Sequence, residues 1–191
     1  MDLAAKEKFG RNKIHPHKFA LWAAMGGILM MFAALTSAYI VRHAVGNWLE
    51  FKLPNVFFVS AVVMLLSSIT LQYSYRAFKA GNEQAYRILM VITTVLGLAF
   101  LGLQYSGWLE MESIGVFLDG NPSGSFIYVI SGVHAAHVLG GIAVLVVALM
   151  HAFMLEFKVT EKRKVRFELT LTYWHFVDLL WIYLLFFLVT Q

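Results

Sequence analysis

The chain has no cysteine among its 191 residues. That absence excludes disulfides, thiolate metal sites, iron–sulfur clusters and cysteine nucleophiles. Charge is scarce too: Asp, Glu, Lys and Arg supply 14% of the residues, where a soluble domain carries about 25%. There are only three prolines, and no Gly/Ser-rich tract, internal repeat or block of like charge marks a linker or a soluble domain. A glycine-rich phosphate loop, a Ser/His/Asp set with an accessible nucleophile and an acidic metal cage are all missing.

What fills the chain is apolar. Hydrophobic residues make up 60% of it, and uncharged stretches run over 19–41, 53–75, 88–109, 120–155 and 169–191, the last interrupted only by Asp178. Each exceeds the roughly 20 residues that cross a bilayer's hydrocarbon core as a helix. Five such segments cannot all be the interior of one small soluble protein. The fold class is an all-α integral membrane protein, a bundle of five transmembrane helices. Residues 1–18 form a basic N-terminal segment. Residues 19–191 form one membrane domain with spans at about 19–41, 55–75, 88–108, 125–152 and 169–190. No nucleic-acid partner is expected.

Lys and Arg fall on alternate loops. Thirteen lie before the first span, between spans two and three, or between spans four and five; only Arg42 and Lys52 lie on the other side. The positive-inside rule then places the N-terminus in the cytoplasm and the C-terminus outside. No cleaved signal peptide is expected, because the first apolar run is too long and lacks a small-x-small exit. Pro16, Pro54 and Pro122 precede spans, with Asn121 as an N-cap. Short loops predict an up-down-up meander for spans one to three, and 109–123 reads as the longest outer loop. Trp22, Trp108 and Trp174 read as interfacial indoles, and His43 and His151 as interfacial residues. Gly132, Ala136 and Gly140 recur every four residues, a small-residue stripe of the kind that packs helices in lipid. Arg42 is a candidate contact for a lipid headgroup, against the simpler reading of a topogenic charge.

Asp178 is the one carboxylate inside a span, and it must face protein or water with a partner. His175 shares its face at i,i+3 spacing, as do His134 and His137 on span four. The two spans are sequential and antiparallel, so the four residues are expected to form one polar cluster. Three readings stay open on spacing alone. The cluster is a structural hydrogen-bonded network, a metal or haem site, or a proton relay. In the haem or quinone reading, His134 or His137 pairs with His175 as axial ligands.

Four segments carry a family resemblance. Ser131-Gly132-Val133-His134-Ala135-Ala136-His137-Val138-Leu139-Gly140 and Tyr173-Trp174-His175-Phe176-Val177-Asp178-Leu179-Leu180-Trp181 resemble the last two helices of subunit III of the haem–copper respiratory oxidases. Pro54-Asn55 with Leu65-Leu66-Ser67-Ser68-Ile69-Thr70, and Gly97, Phe100-Leu101 and Gln104, resemble two earlier segments of the same family. The likeness runs from about residue 19 to the C-terminus, and five spans resemble the short bacterial form.

The resemblance implies a non-catalytic subunit of a proton-pumping terminal oxidase that reduces oxygen to water. Haem and copper would sit in partner subunits, not in this chain. Catalytic subunit I, with subunit II and other respiratory subunits, would be the partners in a bacterial cytoplasmic membrane. Bound phospholipid and support of proton uptake are further implications, and His134, His137, His175 and Asp178 would then be structural. Two departures stand out. The family's glutamate in the first span is absent, where this chain has Gly26-Gly27-Ile28-Leu29, and Gly107 stands where the family tends to have an acid. Roles tied to those carboxylates do not carry over.

Overall fold

The computed structural model describes residues 16–191; most of the basic N-terminal segment lies outside the described residues. Five helices follow one another: α1 (Pro16–Ala44), α2 (Asn55–Lys79), α3 (Glu83–Ser113), α4 (Pro122–Met154) and α5 (Glu161–Thr190). All five are long and apolar enough to cross a membrane. They outrun the uncharged stretches because their ends carry their own polar partners. Asn82 accepts from the Ala85 N–H, Asn121 from Ser123, and Thr160 from Arg163, which satisfies N–H groups that a helix start leaves open. Glu83–Arg87 and Glu161–Lys164 ion pairs line the first turns of α3 and α5.

α2 and α3 form the tightest pair, joined through Ala80-Gly81-Asn82 with Gly81 at φ +77°, a backbone region that glycine enters without a Cβ penalty. α4 packs on α3, and α5 closes the ring by packing on both α4 and α2. The expected meander therefore holds for α2 and α3 but not for α1. α1 lies outside the ring against α4 and α5 and makes no packing contact with α2. Its placement follows from the 45–54 connection, which is fastened to the start of α4. There the Leu49 N–H donates to Asn121 Oδ1 at 3.2 Å, and Asn121 Nδ2 donates to the Asn47 carbonyl at 3.0 Å. Above this clip, Tyr39 meets Trp48, Phe126 and Phe187 edge-on, with centroids 4.7, 5.7 and 5.2 Å away. α3 continues to Ser113 and α4 begins at Pro122, so the outer connection shortens to 114–121 and 45–54 is the longer one.

At the opposite end, Lys18 Nζ lies 2.7 Å from Glu168 Oε2, and the Tyr75 hydroxyl donates to Glu168 Oε1 at 2.6 Å. Arg87 Nε donates to the Ala152 carbonyl at 2.8 Å. These contacts gather α1, α2 and α5, and α3 with α4, at one basic end. Within the bundle α5 is central: half of its most apolar stretch is buried (50%), against 11% for α1.

Candidate functional site

The terminal-helix segment 173–181 sits at the middle of the ring, and its side chains reach three other helices. Trp174 is fully buried. Its indole edge lies in a notch made by Gly97 of α3 and Gly141 of α4, where an added Cβ would stand 2.9 and 3.0 Å from ring carbons. Its Nε1 donates to Ser67 Oγ of α2 at 2.9 Å. The interfacial reading of Trp174 is thus corrected: α5 starts at residue 161, which carries this indole several turns into the helix. Trp108 is likewise tied inward, donating to Ser131 Oγ at 2.9 Å. Trp22 is exposed on α1.

Two turns further along α5, Trp181 Nε1 donates to Ser60 Oγ at 3.2 Å, and Gln104 Nε2 of α3 donates to the same oxygen at 3.0 Å. The Ser60 hydroxyl itself donates to the Phe57 carbonyl at 2.7 Å. Tyr173 donates its hydroxyl to the His137 carbonyl of α4 at 3.0 Å. The segment is therefore hydrogen-bonded to α2 and α4 through indole and hydroxyl groups, and meets α3 at the Gly97 notch and through the Ser60 oxygen it shares with Gln104. Ser60, Ser67, Ser68, Gln72 and Gln104 are the partners that sequence reasoning left without a role. A signal was present: Ser60, Ser67 and Ser74 recur every seven residues, so small polar groups line one face of α2, and all three are fully buried.

The expected His/Asp cluster separates into two places. His134 is fully buried, stacked on Trp181 with centroids 5.0 Å apart and edge-on to Phe100 and Phe32. Neither of its ring nitrogens has a hydrogen-bond partner. His137 Nδ1 donates to the Val133 carbonyl one turn back at 2.7 Å. His175 turns away from both, toward α2, where Nδ1 meets the Ser68 hydroxyl and Nε2 lies 3.2 Å from Gln72 Oε1. Asp178 joins His175 in that groove and leaves Oδ1 unpartnered. The shared face of His175 and Asp178 is as the spacing indicates. Its neighbour is α2, because α5 closes the ring against α2 as well as α4.

The small-residue stripe makes no close packing within this chain. Ala136 and Gly140 are exposed, nothing lies within 4 Å of a Cβ built on Gly140, and Gly132 has one contact at 3.9 Å. The face that packs inside this chain is the adjacent one: Ser131, Ala135, Val138 and Gly141 are buried. Arg42 donates Nη1 to the Gly46 carbonyl at 2.9 Å and so closes the end of its own helix. At Gly107 an added Cβ would stand 3.0 Å from Phe57 Cζ, so the position that an acid tends to hold in the resembling family is closed by a ring here.

The imidazoles do not oppose one another as axial ligands. His134 is covered by three aromatic rings, and His175 points to a different helix. Among the described residues no group of three or more His, Cys, Asp or Glu side chains is placed to hold a metal ion. The geometry defines a multi-pass helical membrane protein whose polar residues tie its own helices together.

The family model described as cytochrome c oxidase subunit III matches residues 43–190. Cytochrome c oxidase subunit 3 of Corynebacterium diphtheriae is 30% identical over 162 residues, covering 81% of this chain and 78% of that protein. That of Alkalihalophilus pseudofirmus is 28% identical over 180 residues, covering 92% and 84%. The Rattus norvegicus protein is 33% identical over 125 residues, and the chain spans 45% of its length. The chain belongs to the cytochrome c oxidase subunit III family. It is a non-catalytic subunit of a haem–copper oxidase and works in a complex with other oxidase subunits. Neither the comparisons nor the site geometry favours the haem-b or quinone alternative.

Proposed function

We propose that this chain flanks the oxygen-reducing subunit I in a bacterial cytoplasmic membrane, with its N-terminus in the cytoplasm, and keeps that subunit's helices and annular lipid in place. Subunit II and other respiratory subunits complete the assembly. Support of proton uptake would act through that stabilisation, since the chain lacks carboxylates at both departures noted above. His134, His137, His175 and Asp178 serve structure in this reading, with Asp178 and His175 anchoring α5 to α2.

The observation that carries this reading is how the polar side chains are used. The indoles of Trp108, Trp174 and Trp181, the hydroxyl of Tyr173 and the amide of Gln104 each donate to another helix of this chain or its backbone. Such groups lock a bundle. The test compares the oxidase purified with and without this chain during sustained turnover. Equal starting rates followed by faster loss of oxygen reduction without the chain support the reading. Identical decay curves would refute it.

A further inference from the structure

At the basic end of the bundle, α4 and α5 part around a cavity of about 100 Å³. Ala148, His151 and Ala152 of α4 line one wall, and Arg163, Arg166 and Phe167 of α5 another. Each set stands at i, i+3 and i+4, so each is a single helix face. Phe78, Tyr86 and Met90 complete the lining and are buried. Tyr86 is only 8% exposed, yet its hydroxyl meets no hydrogen-bond partner among the described residues.

The two arginines are cations without a carboxylate. The described acids of this end are taken by other cations: Glu156 by Lys158, Glu161 by Lys164, Glu168 by Lys18 and Glu83 by Arg87. Arg163 donates Nη1 to the Glu156 and Lys158 carbonyls, which leaves Nε and Nη2 unused. The Arg166 guanidinium has no partner among the described residues, and no Asp or Glu lines the cavity. Positive charge is therefore set over apolar and aromatic walls with nothing in this chain to neutralise it. The cavity lies where α4 ends at Met154 and α5 begins at Glu161, the level at which lipid headgroups sit.

We propose that this cavity binds one anionic phospholipid, with its phosphate held by Arg163 and Arg166 and part of an acyl chain against the apolar walls. A guanidinium presents paired N–H groups that match phosphate oxygens, and basic pockets between spans on the cytoplasmic side hold such headgroups. The Tyr86 hydroxyl supplies a further donor. A zwitterionic head would bring an ammonium group beside two guanidiniums, with no carboxylate in the lining to receive it. Free phosphate would leave Phe78, Met90 and Phe167 uncovered. The site rests on the lipid-holding role proposed above and adds the lipid class and the residues that select it.

The test uses the assembled oxidase isolated through a tag on this chain, stripped of exchangeable lipid and supplied with phosphatidylglycerol bearing a diazirine in its acyl chain. Irradiation in about 0.15 M salt, where the screening length is ~8 Å, should place adducts on the cavity wall, at Ala148, Ala152 or Phe157. Arg163→Gln combined with Arg166→Gln should lower that yield about tenfold. Arg76→Gln combined with Lys79→Gln removes the same charge from the same end, outside the lining, and should change it by less than about twofold. Tyr86→Phe keeps the ring and should lower the yield about threefold; it stands in if the double arginine variant does not assemble. Diazirine-bearing phosphatidylcholine should label these residues about fivefold less, and excess inorganic phosphate should not displace the anionic lipid. Equal labelling by the two lipids, equal losses from the two double variants, displacement by phosphate, or no adduct in the cavity would overturn the proposal. Labelling as expected in an oxidase that survives turnover equally well without this chain would keep the site and remove the stabilising role instead.

Discussion

Trp174 of α5 and Gly97 of α3 are in contact so close that a methyl group cannot stand between them: a Cβ on Gly97 would lie 2.9 Å from Trp174 Cη2 and 3.2 Å from Ile142 Cγ1. Interiors packed to this density resist added volume. Gly97→Ala is expected to lower the chain's stability by about 1–3 kcal/mol. Gly140→Ala meets nothing within 4 Å and should leave stability unchanged or raise it slightly. Chemical unfolding of both variants in mild detergent checks the pair, and equal effects would refute the assignment of the packing face.

Ser60 receives two donors, from Trp181 and Gln104. Ser60→Ala leaves both donors buried without an acceptor, at an expected cost of about 1–3 kcal/mol. Trp181→Phe and Ser60→Ala should be less than additive when combined, because Trp181→Phe removes a donor that Ser60→Ala has already orphaned. An additive double-mutant cycle measured by the same unfolding assay would show that the three groups do not form one node.

His134 gives the opposite sign. Its two ring nitrogens are buried and unpartnered, and three aromatic rings surround it. His134→Phe exchanges two unmet polar atoms for carbon in a slot already built for rings. The expected change in stability is within about 1 kcal/mol of zero or favourable. A loss of 3 kcal/mol or more, on the order of breaking a buried charged or ligand bond, would point to a partner for this imidazole.

The Lys18–Glu168 pair joins α1 to α5, with side chains 38% and 34% exposed. At that exposure an ion pair contributes about 0–1 kcal/mol and is screened by salt. Glu168→Gln should therefore lower the melting temperature slightly in dilute buffer, with the difference vanishing in about 1 M salt, where the screening length is ~3 Å. A difference that persists in high salt would mean that the Tyr75 bond to Glu168 carries the effect.

The helices were legible because hydrophobic runs longer than a bilayer admit no other structure. Their pairing was not, because hydropathy says how much of a helix avoids water and nothing about which face meets protein. α1 shows the difference: its length is plain in the sequence, but its seat on α4 and α5 depends on the Asn121 clip, a contact across more than seventy residues. The stripe at Gly132, Ala136 and Gly140 has a spacing that suits packing, yet Gly141, one residue over and about 100° around the helix, holds Trp174. Spacing correctly put His175 and Asp178 on one face. It could not choose between α4 and α2 as the neighbour, because α5 borders both. Ser60, Ser67 and Ser74 were readable as a stripe but not as acceptors until Trp174 and Trp181 were seen to reach them.

The central claim is that this chain brings structure to an oxidase and no redox group of its own. The direct measurement is an optical spectrum taken on the tagged chain isolated in mild detergent, before and after the co-purifying subunits are stripped away, with those subunits identified by mass. The account predicts haem absorbance only while larger subunits are present, and none from the 21.6 kDa chain alone. Haem absorbance retained by the stripped chain, and lost on replacing His175, would contradict it.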